Sequence, residues 1–252
     1  MQLSGIEKNQ TITVTIAEAG IKQIVTTDAS GRAMISIPVK KMIYWSPENP
    51  KLYAVEIAGA TDKVTDRIGF RTIETKGQDI LLNGKSVFLR GICMHDENPL
   101  IPGRLRGEGD MRMMLQWAKE LNCNYVRLAH YPHSEEMMRL ADEMGLMVWA
   151  EVPVYWTISW TNPDTYNNAQ QQLSDLIVRD KNRSSVIIWS VGNETPISVP
   201  RNVFMGKLVS VARSLDETRL VAAALEIHRK ENNIVIEDPL GDKLDLVSFN
   251  EY

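Results

Sequence analysis

From Ser86 onward the chain repeats one pattern: a short apolar run, a stretch with helical spacing, then another apolar run. The runs "SVFLRGICM", "NYVRLAHY", "LMVWAEVPV", "SVIIWSVGNE", "RLVAAALEIH" and "LDLVSFNEY" alternate with "DMRMMLQWAKELN", "SEEMMRLADEMG", "QQQLSDLIVRDKN" and "VFMGKLVSVARSL". Apolar runs without polar alternation belong to strands buried on both faces, and connections long enough for a helix make such strands parallel. The expected architecture is a parallel sheet under helices, with about six strands where a (β/α)8 barrel has eight. Asp110 and Ser134 are expected to cap the first two helices, and Gly145 to end the second in a left-handed cap. Met113, Met114, Trp117 and Leu121 form one expected core stripe, and Met137, Leu140 and Met144 another.

The preceding residues have a different rhythm. "TITVTI", "RAMISIPV" and "KLYAVEIAG" alternate with period two, as half-buried antiparallel strands do, and "DASGR" and "SPENP" supply turns between them. The reading is an immunoglobulin-like β-sandwich over residues 1–72 followed by a (β/α)8 TIM barrel over 73–252. Both are incomplete: a full sandwich takes about 100 residues, and the barrel stops after about its sixth strand. Unpaired edges in such a barrel favour self-association, so a homo-oligomer is an expected state.

Charge narrows the partners. Asp and Glu number 32 against 28 Lys and Arg, a formal net charge of −4, so neither a nucleic-acid surface nor a patch for anionic membranes is expected. No apolar run is long enough for a membrane helix, and "MQLSGIEKNQ" lacks the regions of a signal peptide, which leaves cytoplasm and periplasm both open. Cys93 and Cys123 are too few for a disulfide framework and read as buried free thiols.

In a (β/α)8 barrel the carboxyl ends of the strands build the active site, so polar residues there are candidates. They are His95, Asp96 and Glu97 after the first strand, Arg127 and His130 around the second, and Glu151 in the third. Asn193 and Glu194 follow the fourth, and Asn250, Glu251 and Tyr252 the sixth. An arginine inside an apolar strand is costly unless acidic or hydrogen-bonding neighbours satisfy it. Glu151 is either such a structural partner of Arg127 or a functional carboxylate. His228, expected to close the fifth strand, has no neighbour that favours a role.

The series "GFRTIETKGQDILLNGKSVFLRGICMHDE", "NYVRLAHYPHSEEMMRLADEMGLMVWAE", "DKNRSSVIIWSVGNE" and "DLVSFNEY", in this order, resembles glycoside hydrolase family 2. That family contains β-galactosidases, β-glucuronidases and β-mannosidases, and "YWSPENPKLYAVEI" resembles its sandwich domain. The resemblance implies hydrolysis of terminal β-linked sugars with retention, a carbohydrate substrate and no organic cofactor. It makes Glu194 the general acid and base, and Asn193 a hydrogen-bond partner of the sugar hydroxyl next to the anomeric carbon. His95 and His130 would line the sugar subsite, Arg127 would orient the nucleophilic carboxylate, and Tyr252 would hydrogen-bond it.

Physical chemistry supports the role implied for Glu194. A carboxyl in a partly dry pocket beside a second carboxylate has its pKa raised, so it can donate a proton near neutral pH. Retention needs that second carboxylate about 5 Å away. In the family it ends the seventh strand, which this chain does not reach, so a piece of a longer glycosidase is expected, and Glu251 is not assigned the role. β-Galactosidase is the leading expectation and β-glucuronidase the alternative; the rival of another class is a non-catalytic carbohydrate-binding protein. No metal is expected, because "EVPVYWTISW" does not match the extra glutamate and histidine ligands that some family β-galactosidases place after the third strand. EDTA should leave turnover of the full-length enzyme intact; loss of activity restored by magnesium would overturn that expectation.

Overall fold

The computed structural model describes residues 9–39, 41–231 and 233–251, so Tyr252 lies outside the described residues. The amino-terminal part carries a four-stranded antiparallel sheet of β1 (Thr11–Ile16), β2 (Ile21–Thr26), β3 (Tyr53–Ala58) and β4 (Lys63–Ile68), in the order β2-β1-β3-β4. Period-two patterning places Ile16, Ile21 and Tyr53 in its small core. The segment Ala33–Val39, expected as a strand, forms none. Pro38 has no amide to donate, and Met34 is fully exposed. Only Ile37 of this run packs against the core.

A short three-stranded sheet, β5 (Ile73–Lys76), β6 (Asp79–Leu82) and β7 (Lys85–Ser86), leads into the barrel strands. These are β8 (Gly91–Met94), β9 (Tyr125–Leu128), β10 (Met147–Glu151), β11 (Val186–Asn193) and β12 (Leu220–Leu225). A hairpin of β13 (His228–Lys230) and β14 (Asn233–Val235) follows, then β15 (Leu246–Phe249). Strands β8 to β12 and β15 make one six-stranded parallel sheet in chain order, part of a TIM barrel. Helices α1 (Glu108–Glu120), α2 (Glu135–Met144), α3 (Pro163–Asp180) and α4 (Val199–Leu215) cross between the first five of these strands. The hairpin and a 3-10 turn at Gly241–Lys243 make the last crossing.

Every residue of β11 is buried, which is why its sequence shows no alternation. Val126, Leu128, Val148 and Ala150 face the helices. Register pairs Cys93 with Arg127 and Arg127 with Trp149, so these three share a row on the opposite, lumenal face.

Several local expectations need correction. Helix α1 begins at Glu108 after Gly107, with Asp110 inside its first turn accepting the Arg106 amide at 2.9 Å. Its buried stripe is Met111, Leu115 and Ala118, while Trp117 and Leu121 are exposed. Two apolar stripes overlap on this helix, and the one containing the small Ala118 allows the closer approach to the sheet. Cys93 is exposed and Cys123 half-buried, because the lumenal row holding Cys93 opens onto a cavity. Strand β12 ends at Leu225, so His228 opens the hairpin and does not close the strand.

The segments flanking the sandwich sheet share a core with the barrel. Trp45, fully buried, packs with Trp149, Ile188 and Leu220, and its indole N–H donates to Asp142 O at 2.8 Å. The Arg71 guanidinium donates to the carbonyls of Ser184, Val186 and Thr218, at the amino ends of β11 and β12. Gly145 ends α2 at φ +69°, and a Cβ there would lie 2.5 Å from Pro47 O. Gly145→Ala should therefore cost about 1–2 kcal/mol through the left-handed backbone alone. A lower urea midpoint with an unchanged slope would show it, and an unchanged midpoint would show that the junction yields without cost.

Candidate active site

Side chains on a strand alternate between faces, so placing Val126 and Leu128 toward the helices sends Arg127 into the lumen. There Arg127, nearly buried, is met by acceptors on three other strands. Its Nη2 lies 3.0 and 3.1 Å from the two oxygens of Glu151 and 2.6 Å from Asn193 Oδ1, while Nη1 donates to Asn250 Oδ1 at 2.7 Å. The guanidinium also sits over the Trp149 ring, 5.2 Å from its centroid.

Glu151 is fully buried, and both its oxygens are engaged. His130 Nδ1 lies 2.7 Å from Oε1, while the Trp149 indole and the Ser190 hydroxyl donate to Oε2 at 2.7 and 2.8 Å. Because a carboxylate only accepts, the His130 proton shared with it sits on Nδ1, which leaves Nε2 for another partner. Burial pushes the Glu151 carboxyl up, but the His130 hydrogen bond, the Arg127 charge and the Trp149 and Ser190 donors outweigh it and hold it below the usual range. Burial likewise opposes the charge on Arg127, and Glu151 outweighs that too. With five donor contacts Glu151 has the surroundings of a structural partner of Arg127, one of the two readings that the sequence left open.

Asn193 and Glu194 end β11, where its pairing register with β12 shifts between Ser190 and Asn193. Such irregularities re-aim side chains at the ends of strands. Gly192 makes the approach possible, since a Cβ there would meet Met205 Cε at 2.6 Å and Val154 O at 2.7 Å. The Asn193 amide oxygen accepts from Arg127 and, at 2.9 Å, from Asn250 Nδ2. Its Nδ2 therefore points the other way, 3.3 Å from Glu194 Oε2. Glu194 is half-buried, with φ +47°, a conformation that L-residues rarely adopt and that clusters at functional sites. Its amide is pinned to Ala224 O at 2.8 Å.

Rings surround this core. Tyr131, His95, His130, Tyr155 and Trp156 form a chain with successive centroids 5.9, 5.3, 5.7 and 5.5 Å apart. One cavity of about 550 Å³ is lined by His95, Arg127, His130, Trp149 and Asn250, and a second of about 510 Å³ by Glu194, Trp156, Leu225 and Asn250. The fold thus gathers His95, His130, Arg127, Asn193 and Glu194. Asp96 instead pairs with Arg104, and Glu251, exposed, with Arg229. Among the described residues no group of three or more His, Cys, Asp or Glu is arranged to hold a metal ion. Sequence reasoning missed Ser190, Tyr131, Tyr155 and Trp156. The last two could have been found, because "YW" follows the third strand as the other candidates follow theirs.

A parallel strand-and-helix barrel sheet with its polar cluster at the carboxyl ends of β8 to β11 and β15 places the protein among TIM-barrel proteins with a site in the usual position. Sequence comparison narrows the class. The profile described as "Glycosyl hydrolases family 2, TIM barrel domain" matches residues 73–240, and that described as "Glycosyl hydrolases family 2" matches residues 3–71. The chain belongs to glycosyl hydrolase family 2.

Among curated relatives, a β-galactosidase of Arthrobacter sp. (strain B7) is 31% identical over 193 residues, 73% of this chain and 19% of that protein. A β-glucuronidase of Paenibacillus borealis is 29% identical over 239 residues, 85% of this chain and 37% of that protein. The crystal structure of an FMN-binding β-glucuronidase from Facaelibacterium prausnitzii L2-6 superposes with a TM-score of 0.84 at 26% identity, covering 99% of this chain and 39% of that one. The chain thus spans less than two fifths of either curated relative.

Proposed function

We propose that the protein to which this chain belongs is a retaining β-glycosidase acting on terminal β-linked sugars. The observation that carries the proposal is the Asn193–Glu194 pair at the end of β11: Arg127 and Asn250 fix the amide, and the carboxyl beside it is held in a strained backbone conformation. Glu194 would protonate the leaving oxygen and then deprotonate the attacking water. Asn193, its amide oxygen already occupied, offers Nδ2 to the hydroxyl next to the anomeric carbon, a contact that strengthens in an oxocarbenium-like transition state.

His130, oriented by Glu151 through Nδ1, would present Nε2 to sugar hydroxyls together with His95. Arg127 would orient the nucleophilic carboxylate. Its Nε is buried and has no hydrogen-bond partner among the described residues, a donor such a carboxylate could use. Tyr252 would hydrogen-bond the same group.

Relatives named β-galactosidase and relatives named β-glucuronidase support the two sugars equally. A panel of nitrophenyl β-glycosides, with the product anomer followed by proton NMR, tests the reading on the full-length protein. Turnover of at least one with the β-anomer released first is expected. The α-anomer first would overturn retention and mean an inverting hydrolysis, and no turnover of any would favour a carbohydrate-binding role.

A further inference from the structure

The indole of Trp156 is 64% exposed, although it lines the same cavity as Glu194. A tryptophan gains much by being covered, and one left open beside a candidate acid has a flat apolar face to offer a ligand. Its placement is fixed. The backbone sits at φ +54°, the Trp156 amide donates to Asn193 O at 3.1 Å, and Tyr155 bridges to Asn193 alongside. The backbone that carries the ring is therefore held in register with the two residues that would do the chemistry. Tyr155 lies beside the indole with ring centroids 5.5 Å apart and planes at 90°, so the two rings do not stack face to face.

The two cavities both touch Asn250 and are otherwise lined by different side chains. The one with Arg127, His95 and His130 offers donors and acceptors suited to sugar hydroxyls. The one with Trp156 sets Pro196, Leu225 and Ile227 beside Glu226 and Arg229 around Glu194. An acid that protonates a glycosidic oxygen has the sugar on one side and the leaving group on the other. We infer that Trp156 is the platform of the leaving-group subsite, stacking the flat apolar face of an aryl ring or of a second pyranose while Glu194 protonates the bridging oxygen. The inference rests on the glycosidase reading above and adds where, and by what contact, the leaving group is held.

The test compares wild type, W156A and W156F in the full-length protein on three substrates of the preferred sugar: an aryl β-glycoside, a β-linked disaccharide and the glycosyl fluoride. Fluoride has no face to stack, so it isolates the sugar side. W156A should lower kcat/KM about tenfold on whichever of the first two carries the stacked group, with the fluoride changed by less than about threefold and W156F recovering most of the loss. The relative size of the aryl and disaccharide losses tells which leaving group the platform suits. Equal losses on all three substrates, or no loss on the first two, would overturn the inference.

If wild type hydrolyses none of the three, the glycosidase reading fails first. The platform is then judged by titrating intrinsic fluorescence with a phenyl β-thioglycoside, where W156A should bind about tenfold more weakly. Equal affinity would overturn it.

Discussion

Glu194→Gln is expected to lower turnover of glycosides with poor leaving groups by about 10²–10⁴-fold, the usual contribution of a positioned general acid. Glutamine keeps the size and the contact with Asn193 Nδ2, so folding and sugar binding should change little. What is lost is the proton. The loss should therefore grade with the leaving group: largest for an alkyl or sugar leaving group, which departs only when protonated, and much smaller for dinitrophenol or fluoride in the glycosylation step. Measuring kcat/KM across such a series in the full-length protein decides the role. A loss independent of the leaving group would move Glu194 from proton donor to structural residue. An unchanged series would remove it from the mechanism and leave the carbohydrate-binding reading in its place.

Arg127→Met is expected to cost about 3–5 kcal/mol of folding stability, because it strands a buried carboxylate without its cation. The cost arises at Glu151, which would keep the His130, Trp149 and Ser190 contacts but lose its one permanent charge partner. In the wild type the folded pKa of Glu151 is depressed, so its contribution to stability is present above the unfolded carboxyl pKa of about 4.3 and is lost as pH falls through the folded value. The Arg127→Met variant should lack much of that acid-dependent loss, because burial would no longer be outweighed to the same degree. Adding Glu151→Gln to Arg127→Met should restore part of the stability at pH 7, whereas two independent residues would show additive losses. Urea unfolding of the four proteins at pH 7 and pH 4 measures the cycle. Additivity, or a single-variant loss below about 1 kcal/mol, would mean that the pair is not the organising contact of the lumen.

The parts of the fold that the sequence revealed are those where one physical demand dominates. Strand β11 is buried on both faces, so its residues had to be apolar or small until Asn193, and the change of chemistry marked the site. Ser134 and Gly145 bounded α2 as expected because each satisfies a local backbone need, the Met137 amide and a left-handed φ. Arg127 announced an acidic neighbour because an unpaired guanidinium in an apolar strand is untenable. The errors fall where two demands compete. Ala33–Val39 has strand alternation but also Pro38, and alternation alone does not supply a pairing partner. Helix α1 carries two apolar stripes, and the choice between them depends on the sheet beneath it. Trp156 is legible by position alone, since it follows the third strand, while its exposure comes from a backbone turn at positive φ that its residue type does not signal.

Arg71 takes up carbonyls at the starts of β11 and β12, and Trp45 fills the space beside them, so the floor beneath the polar cluster is furnished by residues that precede the barrel strands. This divides what variation can reach. Residues beyond the far ends of the strands that take no part in the polar cluster can vary without disturbing the base. The sandwich edge that carries Trp45 and Arg71 cannot drift without its barrel. Grafting a relative's sandwich onto this barrel would therefore succeed or fail at two side chains, whatever the substrates of the two parents.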